Sequence, residues 1–390
     1  MENFNFYVPT HVCFGEGQIK QLTTVLKPYG KKVLMVYGGG SIKKNGIYDD
    51  AVSRMKADNF EIIELAGVEP NPRIDTVRRG VEMCRENNIE VILAVGGGST
   101  IDCSKAIAAG VKYEGDPWDF TKDRSLVKDA LPLVTILTMA ATGSEMNMGS
   151  VITNLETNEK LATGGVAMIP KASILDPTYT YTVNKWQTAA GSADILSHLF
   201  ECYFTVNEGA AVQNRIAEGL MKTVLEYAPI ALTDPTNYEA RSNLMWSSSL
   251  ALNGLTRLGK KGVWSCHPIE HELSAFYDIT HGIGLAIITP SWMRYILSEQ
   301  TVEKFVSFAE NVWDIDSNNR DPFDVANEGI DKLVESFKSW GIPMTLAEVG
   351  IDHEKIRLMS ELAVKHSTIS EDAFVALNAD DVEKILLACM

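Results

Sequence analysis

The sequence predicts an α/β protein in two parts: a mostly parallel sheet covered by helices on both faces, followed by an all-helical part. Strand segments alternate with helical segments as far as "ASILDPTYT", the order that produces parallel sheets. After Asn184 helical periodicity continues with little strand signal. A chain of 390 residues is also long enough for two domains with separate cores. We therefore predict an α/β domain at residues 1–184 and an all-helical domain at residues 185–390.

The strands and helices follow one another regularly in the first half. Residues 1–20 contain a short alternating strand, a turn and the start of a helix near Gln18. "KKVLMVY" and "FEIIELAG" are strands with the helix "YDDAVSRMKADN" between them, and "IDTVRRGVEMCRENN" is the next helix. "EVILAVGGGSTIDCSKAIAAG" is a strand, a glycine turn and a helix, and "PLVTILTMAATGSE" is a strand with a polar loop. In the second half, "ALTDPTN", "THGIG" and "SWGIP" interrupt the helices.

Composition and charge exclude several classes of protein. A formal net charge of −16 argues against nucleic acid and anionic membranes as partners. The N-terminal segment does not resemble a signal peptide, and the apolar runs are shorter than the ~20 residues that span a bilayer. The six cysteines include no CxxC pair, so we expect reduced thiols. These features predict a cytoplasmic protein.

Four of the seven histidines lie between Gly191 and Gly284. His198 follows Asp194 by four residues in a helical segment, and His271 follows His267 by the same spacing, so each pair shares one helix face. His281 is too far along for the same helix, since fourteen helical residues span roughly 21 Å. The chain must therefore turn back, and "FYDITHG" has the composition of such a turn. One carboxylate and three imidazoles suit Zn²⁺ or Fe²⁺.

Two alternatives to this metal site stay open. A histidine on an amphipathic helix is more often a partly buried, hydrogen-bonded residue than a ligand. Cys266, next to His267, is either a soft metal ligand or a thiol packed near the site, and packing is the more common role.

The segment "VILAVGGGSTIDCSKAIA" has the composition of a phosphate site. A strand leads into Gly96, Gly97 and Gly98, and a helix with free N–H groups follows. Ser99 and Asp102 have the spacing of a capping box, which predicts a fixed helix start. The segment matches neither GxGxxG nor a P-loop, so a tight turn without a ligand is an alternative.

A second glycine turn, "VYGGGSIKKNG", follows the first long strand. Where many NAD enzymes have an acidic residue that holds the ribose, this turn has glycines and a serine, followed by Lys43 and Lys44. A cation-flanked turn can admit a 2′-phosphate, so NADP(H) is favoured over NAD(H). The alternative is that both lysines are solvated helix residues. The loop "TMAATGSEMNMGSVITN" adds hydroxyl and amide groups that can donate to phosphates or a carboxamide.

Seven motifs occur in one order along the chain: "FGEG", "YGGGSIKKNG", "PNP", "VGGGSxxDxxKAIA", "ATGSE", "GSADxxSHxxExY" and "HxxxHxxxxxxxxxHG". With these motifs the chain resembles the metal-dependent group III, or iron-containing, alcohol dehydrogenases, and most closely their butanol dehydrogenase and broad-range aldehyde reductase branch. The resemblance covers essentially the whole chain. It implies a dehydroquinate synthase-like fold, with an α/β dinucleotide-binding domain and an all-α metal-binding domain, and it implies a homodimer.

The resemblance also implies roles for individual residues. The implied metal ligands are Asp194, His198, His267 and His281. His271 matches a histidine that lies close to the metal and substrate without being a ligand. The implied cofactor-binding residues are Gly38, Gly39, Gly40 and Ser41 at the adenosine ribose, Gly97, Gly98, Ser99 and Asp102 at the pyrophosphate, and Asn71, Thr138, Thr142, Asn147 and Lys160 along the cofactor cleft. Thr280 departs from the proline that many members have before the last histidine.

The activity implied is the interconversion of primary alcohols and aldehydes with NAD(P)H. His271 is a candidate proton relay, or else it orients the substrate. The aromatic residues of the second half line an alkyl pocket or belong to the core; they are Trp264, Phe276, Tyr277 and Trp292. One rival is a lyase or cyclase on the same scaffold that recycles bound NAD. Another is a metal ion that only stabilises the helical domain.

Overall fold

The computed structural model describes residues 1–206 and 209–390. Packing divides the chain into two compact units. The sheet unit comprises Tyr7–Val183 and Pro235–Asn253, and the helical unit comprises Met1–Phe6, Asn184–Asp234 and Gly254–Met390. The division of the sequence at residue 184 stays a prediction. Packing assigns Met1–Phe6 to the helical unit and Pro235–Asn253 to the sheet unit.

The sheet unit is built on six parallel strands: β1 (His11–Phe14), β2 (Lys32–Tyr37), β3 (Glu61–Ala66), β4 (Val91–Gly96), β5 (Leu133–Leu137) and β8 (Ala172–Leu175). Their order across the sheet is β1-β8-β5-β4-β2-β3. All residues of β4 and β5 are buried, which explains why these strands are continuous apolar runs in the sequence. The predicted parallel sheet is confirmed.

Helices cover both faces of this sheet. They are α1 (Leu22–Leu26), α2 (Ser41–Lys44), α3 (Ile47–Ala57), α4 (Ile74–Asn87), α5 (Gly98–Val111), α6 (Asp119–Lys122) and α9 (Tyr238–Leu252). Alternate residues of β2 enter two separate hydrophobic clusters: Leu34 and Val36 pack on one face, and Val33 and Met35 on the other. The prediction of helices on both faces is therefore confirmed.

The sequence analysis did not identify an antiparallel hairpin that follows β5. Its strands are β6 (Gly149–Asn154) and β7 (Glu159–Gly164), paired from Gly149–Gly164 to Asn154–Glu159. Its first strand, β6, lies in the polar segment that the sequence analysis treated as a loop, and β7 follows that segment. Threonine, asparagine and glycine occupy much of both strands, so the apolar alternation that marks a half-buried strand is weak there.

The order in which the chain adds strands reverses between β2 and β4. These strands are neighbours, with Tyr37 opposite Val95, but the chain continues from β2 to β3 on one side and from β4 to β5 on the other. In open α/β sheets, ligands bind at the carboxyl ends of strands where the order reverses in this way. Both glycine turns of the sequence follow these two strands, so both are at the expected ligand crevice.

The helical unit contains α7 (Lys185–Tyr203), α8 (Ala211–Thr233), α10 (Cys266–Tyr277), α11 (His281–Ile296), α12 (Val302–Trp313), α13 (Pro322–Ser339), α14 (Ile356–Lys365) and α15 (Ala379–Leu387). Within its described residues, the only β-type pairing is an isolated bridge between Val263 and Ala373. The predicted helical character of this half is confirmed. In the described part of the chain, no helix combines the length and apolarity needed to cross a membrane.

Two glycines let α11 approach its neighbours closely. A β-carbon at Gly282 would overlap the carbonyl oxygen of Ala190 in α7, and one at Gly284 would lie 2.8 Å from Cγ of Glu270 in α10. Such distances leave no room for a methyl group. The "HGIG" segment therefore permits the beginning of α11 to lie directly against α7 and α10.

Replacing Gly282 with alanine is expected to lower the free energy of unfolding by about 1–3 kcal/mol, because the backbone of α7 cannot move aside without cost. Urea denaturation followed by circular dichroism measures the change. Gly219→Ala in α8 is the matched control, since a β-carbon there meets nothing within 4 Å. We expect the control to be neutral or to stabilise by up to about 1 kcal/mol. Equal destabilisation by both substitutions would contradict the close approach.

Candidate metal centre and nucleotide site

Helix α7 carries the first two predicted ligands, Asp194 and His198. Its N-terminus is fixed by Asn184, whose side-chain oxygen accepts a 2.8 Å hydrogen bond from Gln187 N. Every residue from 188 to 203 is buried, so the face that holds both ligands lies inside the helical unit. Asp194 and His198 are 2% and 3% exposed. Burial of a carboxylate at this level requires compensating partners.

The chain reverses between the other two predicted ligands. His267 lies in the first turn of α10, which ends at Tyr277. Asp278 then adopts a left-handed conformation with φ of 51°, and His281 is the first residue of α11. The turn expected at "FYDITHG" is therefore present. The Thr280 hydroxyl accepts a 3.1 Å hydrogen bond from Trp186 Nε1, so this residue anchors the turn by a contact that proline could not make.

Three imidazole nitrogens surround one carboxylate oxygen. Asp194 Oδ1 lies 3.6 Å from Nε2 of His198, 3.7 Å from Nε2 of His281 and 4.0 Å from Nε2 of His267. Ligand atoms about 2.1 Å from a tetrahedral ion are roughly 3.4 Å apart. The observed spacing is slightly wider, and small side-chain movements would close it around an ion. The ligand atoms of Asp194, His267 and His281 all lie within 4.8 Å of one another.

The protonation and pairing of these groups fit a divalent ion. His267 Nε2 is buried and has no hydrogen-bond partner among the described residues, a costly state for a polar atom. Burial, followed by the neighbouring charges of His267 and His281, lowers the pKa of His198 well below its ordinary value. A neutral imidazole is the form that ligates a metal. The residues present therefore suit Fe²⁺ or Zn²⁺.

A second set of close ligand atoms comprises Glu270, His271 and His281. Glu270 already accepts a hydrogen bond from Ser274 Oγ and pairs with His281 Nδ1, which suits a supporting role better than coordination. The His271 ring is 5.8 Å from that of His281 and 6.4 Å from that of His267. His271 is thus a near neighbour of the candidate site, and it is partly exposed.

Two carboxylates that the sequence analysis did not single out hold the histidines from behind. Glu201 accepts a 3.0 Å hydrogen bond from His267 N and lies 3.2 Å from His267 Nδ1, while Glu270 pairs with His281 Nδ1. Both carboxylates are buried. A carboxylate on Nδ1 fixes the tautomer and directs Nε2 to the metal. The sequence signal was a repeated His-x-x-Glu, "HLFE" and "HPIE", although each glutamate supports a different histidine from the one that precedes it.

The aromatic residues near the histidines have different roles. The Trp264 ring lies 4.5 Å from that of His267 and 5.6 Å from that of His198, so it borders the site. Trp292 is 2% exposed and packs against Phe204, so it belongs to the core. Cys266 is buried, and burial raises its pKa, which agrees with a packed thiol. All six cysteines are free, as predicted.

In the sheet unit, the turn after β4 differs from the expected capping box. Helix α5 begins at Gly98 with no side-chain hydrogen bond to its first turn. Ser99 Oγ instead donates to Pro70 O, and the capping-box prediction is wrong because Ser99 is the second residue of the helix and Gly97 is the N-cap. A β-carbon at Gly98 would overlap the Thr142 hydroxyl, so glycine is required there. The first N–H groups of α5 keep their orientation toward the turn.

The Asp102 side chain is held by hydrogen bonds from two neighbouring elements. Its carboxylate accepts hydrogen bonds from Ser144 Oγ at 2.5 Å and Val151 N at 2.8 Å, which ties α5 to the polar loop and to β6. Burial raises the pKa of Asp102, while the nearby charge of Lys105 opposes that shift. The structure therefore gives Asp102 a bracing contact with the loop; its predicted role at the pyrophosphate stays a prediction.

The polar loop itself is held by a buried lysine. Lys105 Nζ donates to Ser144 Oγ, Asn147 Oδ1 and Gly149 O at 2.9, 2.9 and 2.7 Å. Burial lowers the pKa of Lys105 to about 8. Asn147 Nδ2 donates to Gly143 O, so the amide of Asn147 is used within the loop. The loop is a preformed structure.

The remaining predicted cofactor residues lie around the same end of the sheet. Thr138 continues β5, with its N–H donating to Gly96 O. Asn71 lies between Pro70, which accepts from Ser99, and Pro72, which accepts from Thr153 N. Lys160 is opposite Thr153 in the hairpin. Through these contacts the structure groups Asn71, Ser99 and Lys160 near the start of α5.

The turn after β2 is open, and one of the two lysines that follow it is paired. Gly40 has a φ of 94°, and β-carbons at Gly39 and Gly40 would meet nothing within 4 Å. Lys43 Nζ lies 3.7 Å from Glu64 Oε2, a carboxylate on β3 that the sequence analysis did not consider. An acidic residue therefore lies near this turn, but it is on the neighbouring strand and pairs with Lys43.

Comparison with known proteins covers the whole length of the chain. Residues 9–177 match the family described as iron-containing alcohol dehydrogenase, and residues 188–390 match its C-terminal counterpart, described as Fe-containing alcohol dehydrogenase family, C-terminal. NADH-dependent butanol dehydrogenase A of Clostridium acetobutylicum is 56% identical, with 99% of both chains covered. NADPH-dependent aldehyde reductase YqhD of Escherichia coli is 37% identical, with 94% of both covered.

A solved structure agrees with this assignment. The crystal structure of NADH-dependent butanol dehydrogenase A from Thermotoga maritima superposes with a TM-score of 0.94 at 40% identity, covering 100% of this chain and 99% of that one. The similarity therefore extends through both the sheet unit and the helical unit. On the combined evidence of sequence and structure, the chain belongs to the iron-containing alcohol dehydrogenase family.

Proposed function

We propose that this protein interconverts primary alcohols, such as butanol, and their aldehydes. As a family member it is an oxidoreductase that uses a divalent metal and a nicotinamide cofactor. The observation that carries the proposal is the set of three imidazole nitrogens within 4.0 Å of one Asp194 oxygen. The names of the relatives support the substrate class, because they include butanol dehydrogenases and an aldehyde reductase.

The proposed metal ligands are Asp194, His198, His267 and His281. A bound divalent ion supplies Lewis acidity to a carbonyl oxygen, and a bound nicotinamide supplies the hydride. The protein holds each ligand in a fixed orientation: Glu201 and Glu270 constrain two imidazoles from behind, and burial keeps His198 neutral. The Trp264 ring packs against His267, with the ring centres 4.5 Å apart.

His271 is the proposed proton-transferring residue. It follows His267 by one helical turn, and it is partly exposed, so it is positioned between the candidate metal ligands and solvent. A neutral imidazole near pH 7 can pass a proton in either direction. The other function of a histidine at this position would be to orient the substrate.

For the cofactor, we propose residues at the carboxyl ends of β2, β4 and β5. Gly97, Gly98 and Ser99 begin α5, whose free N–H groups favour a pyrophosphate. Gly38, Gly39, Gly40 and Ser41 face the adenosine ribose in this proposal. Asn71, Thr138, Thr142 and Lys160 line the cofactor cleft in this proposal, and Asp102 and Asn147 hold the polar loop after β5 in place.

We propose NADH as the preferred cofactor, in place of the NADP(H) that the sequence analysis favoured. That expectation rested on Lys43 and Lys44 as cations beside Gly38–Ser41, and Lys43 is paired with Glu64. Relatives that are 56% and 53% identical are named NADH-dependent, while the NADPH-dependent aldehyde reductase is 37% identical. Steady-state rates of butanal reduction with each cofactor test the preference.

The rival lyase or cyclase would need cations to hold an anionic substrate. Those nearest along the chain are engaged elsewhere in the helical unit: Arg257 donates to Gly262 O, Lys260 to Cys202 O, and Lys261 pairs with Glu2. The relatives likewise favour the redox reaction. Stoichiometric oxidation of NADH by butanal would separate the two.

We propose that the four ligands hold either Fe²⁺ or Zn²⁺, since both ions accept this donor set. Activity of apoprotein loaded separately with each ion decides which of the two is used.

A homodimer and a cytoplasmic location are further proposals. Light scattering on the purified protein tests the dimer, and cell fractionation tests the location.

His267→Ala is expected to abolish metal binding and turnover together, because it removes one of the imidazole ligands. Metal content by plasma mass spectrometry and NADH oxidation with butanal measure the two effects. His353→Ala is the control, since His353 is exposed. Retention of full metal content by the His267 variant would contradict the ligand assignment.

Glu270→Gln is expected to weaken metal affinity by about 10–100-fold, because the amide no longer fixes the His281 tautomer. Competition with a fluorescent chelator measures affinity without any assay of activity. Glu272→Gln is a matched control on the same helix: Glu272 is equally buried but pairs with His366 Nδ1 at 2.8 Å. Affinity unchanged by the Glu270 substitution, or weakened equally by both, would argue against a supporting role.

His271→Gln is expected to lower kcat by about 10²–10⁴-fold while metal content stays at the wild-type level. The pH profile of kcat identifies the role, since loss of a proton relay removes its titration from that profile. A raised KM with an unchanged profile would instead indicate that His271 orients the substrate.

A further inference from the structure

The inference concerns four side chains beside the Gly38–Ser41 turn: Tyr37, Lys43, Tyr48 and Glu64, here called the Lys43 cluster. Tyr37 ends β2, Lys43 is in α2, Tyr48 is in α3, and Glu64 is in β3. No residue of this cluster belongs to the candidate cofactor-binding set. All of them lie in the sheet unit, on or beside the neighbouring strands β2 and β3.

Glu64 is the centre of the cluster. Its two oxygens accept hydrogen bonds from Tyr37 Oη at 2.6 Å and from Tyr48 Oη at 2.5 Å. Burial alone would raise the pKa of Glu64, but the hydrogen bonds from both tyrosines and the charge of Lys43 lower it overall. Glu64 is therefore ionised at neutral pH, and its negative charge is fixed in direction by two phenols.

Lys43 is held over the tyrosines. Its Nζ lies 4.5 Å from the centre of the Tyr48 ring and 5.1 Å from that of Tyr37, both within the range of cation–π attraction. The same atom is 3.7 Å from Glu64. Two aromatic faces and a carboxylate thus restrain a side chain that is otherwise half exposed and free to reach over the turn.

The turn itself has room for a ligand. Glycines 39 and 40 have open space where side chains would be, and Lys43 follows Ser41 by two residues. A lysine free to extend over this turn would pair with a 2′-phosphate, which carries between about one and a half and two negative charges. A lysine held against Glu64 does not, and the carboxylate repels that phosphate.

We propose that the Lys43 cluster sets the cofactor preference, by holding Lys43 against Tyr48 and Glu64 so that the dephosphorylated adenosine ribose of NADH is accepted over that of NADPH. The proposal rests on the proposed function, because it assigns the Gly38–Ser41 turn to the adenosine ribose. It makes Tyr48 and Glu64 specificity-determining residues at a distance from the reacting atoms.

The test uses the full-length, metal-loaded enzyme and compares kcat/KM for NADPH with kcat/KM for NADH in butanal reduction. Tyr48→Leu removes both the ring and the hydroxyl, and we expect the NADPH-to-NADH ratio to rise about tenfold. Glu64→Gln should raise it by a similar factor, and Tyr48→Phe by less, because the ring remains under Lys43. Adding Lys43→Met to Tyr48→Leu, which keeps the Glu64 carboxylate, should return the ratio to near the wild-type value.

Asp50→Asn is the matched control, since it removes a negative charge two residues from Tyr48 that pairs with Arg54 instead. A ratio that rises as much in this variant as in Glu64→Gln would overturn the proposal in favour of a general charge effect. Unchanged ratios in both Tyr48→Leu and Glu64→Gln would also overturn it.

Failure of the proposed function is visible separately. A wild-type enzyme that oxidises neither cofactor with butanal would contradict the activity. Dissociation constants of NADH and NADPH, from fluorescence titration in the absence of aldehyde, then still measure the preference in each variant. Circular dichroism confirms that the variants are folded.

Discussion

The structure of the helical unit depends on one buried carboxylate, Asp194, that faces three imidazole nitrogens at once. Charges and polar atoms are expensive to bury without partners. The burial is enforced by packing, because α7 is inside the unit over sixteen consecutive residues and α11 lies against it at Gly282. A divalent ion would satisfy the carboxylate and the nitrogens together. Its binding free energy would then also stabilise the fold, so that chelation would lower stability even where the ion is catalytic.

The same constraint explains why the supporting glutamates are buried. An imidazole has two nitrogens, and one must be held for the other to point reliably at an ion. Glu201 comes from α7 and supports a histidine of α10, whereas Glu270 comes from α10 and supports the histidine of α11. Each supporting contact therefore links two helices. The candidate metal site and the packing of α7, α10 and α11 therefore depend on the same contacts.

Features that depend on residues close together in the sequence could be predicted, whereas contacts between residues on different elements could not. The pairs Asp194–His198 and His267–His271 were visible because helical spacing is local, and the parallel sheet was visible from its apolar runs. The need for a reversal before His281 followed from helix length. The partners of Ser99, Asp102 and Lys43 were not visible: Pro70, Ser144 and Glu64 lie on other elements. Local spacing suggested a capping box at Ser99, and tertiary packing replaced it.

The two glycine turns have similar sequences, but the space around their glycines differs. At Gly98 glycine is required by the protein itself, because the Thr142 side chain fills the space of a β-carbon. Around Gly39 and Gly40 that space is open. A turn closed by its own packing presents backbone N–H groups in a fixed geometry, which suits a pyrophosphate common to every nicotinamide cofactor. An open turn leaves discrimination to the side chains beside it. Differences between NADH and NADPH, which are confined to the ribose, are therefore expected to depend on residues near Gly38–Ser41 and not on those at the start of α5.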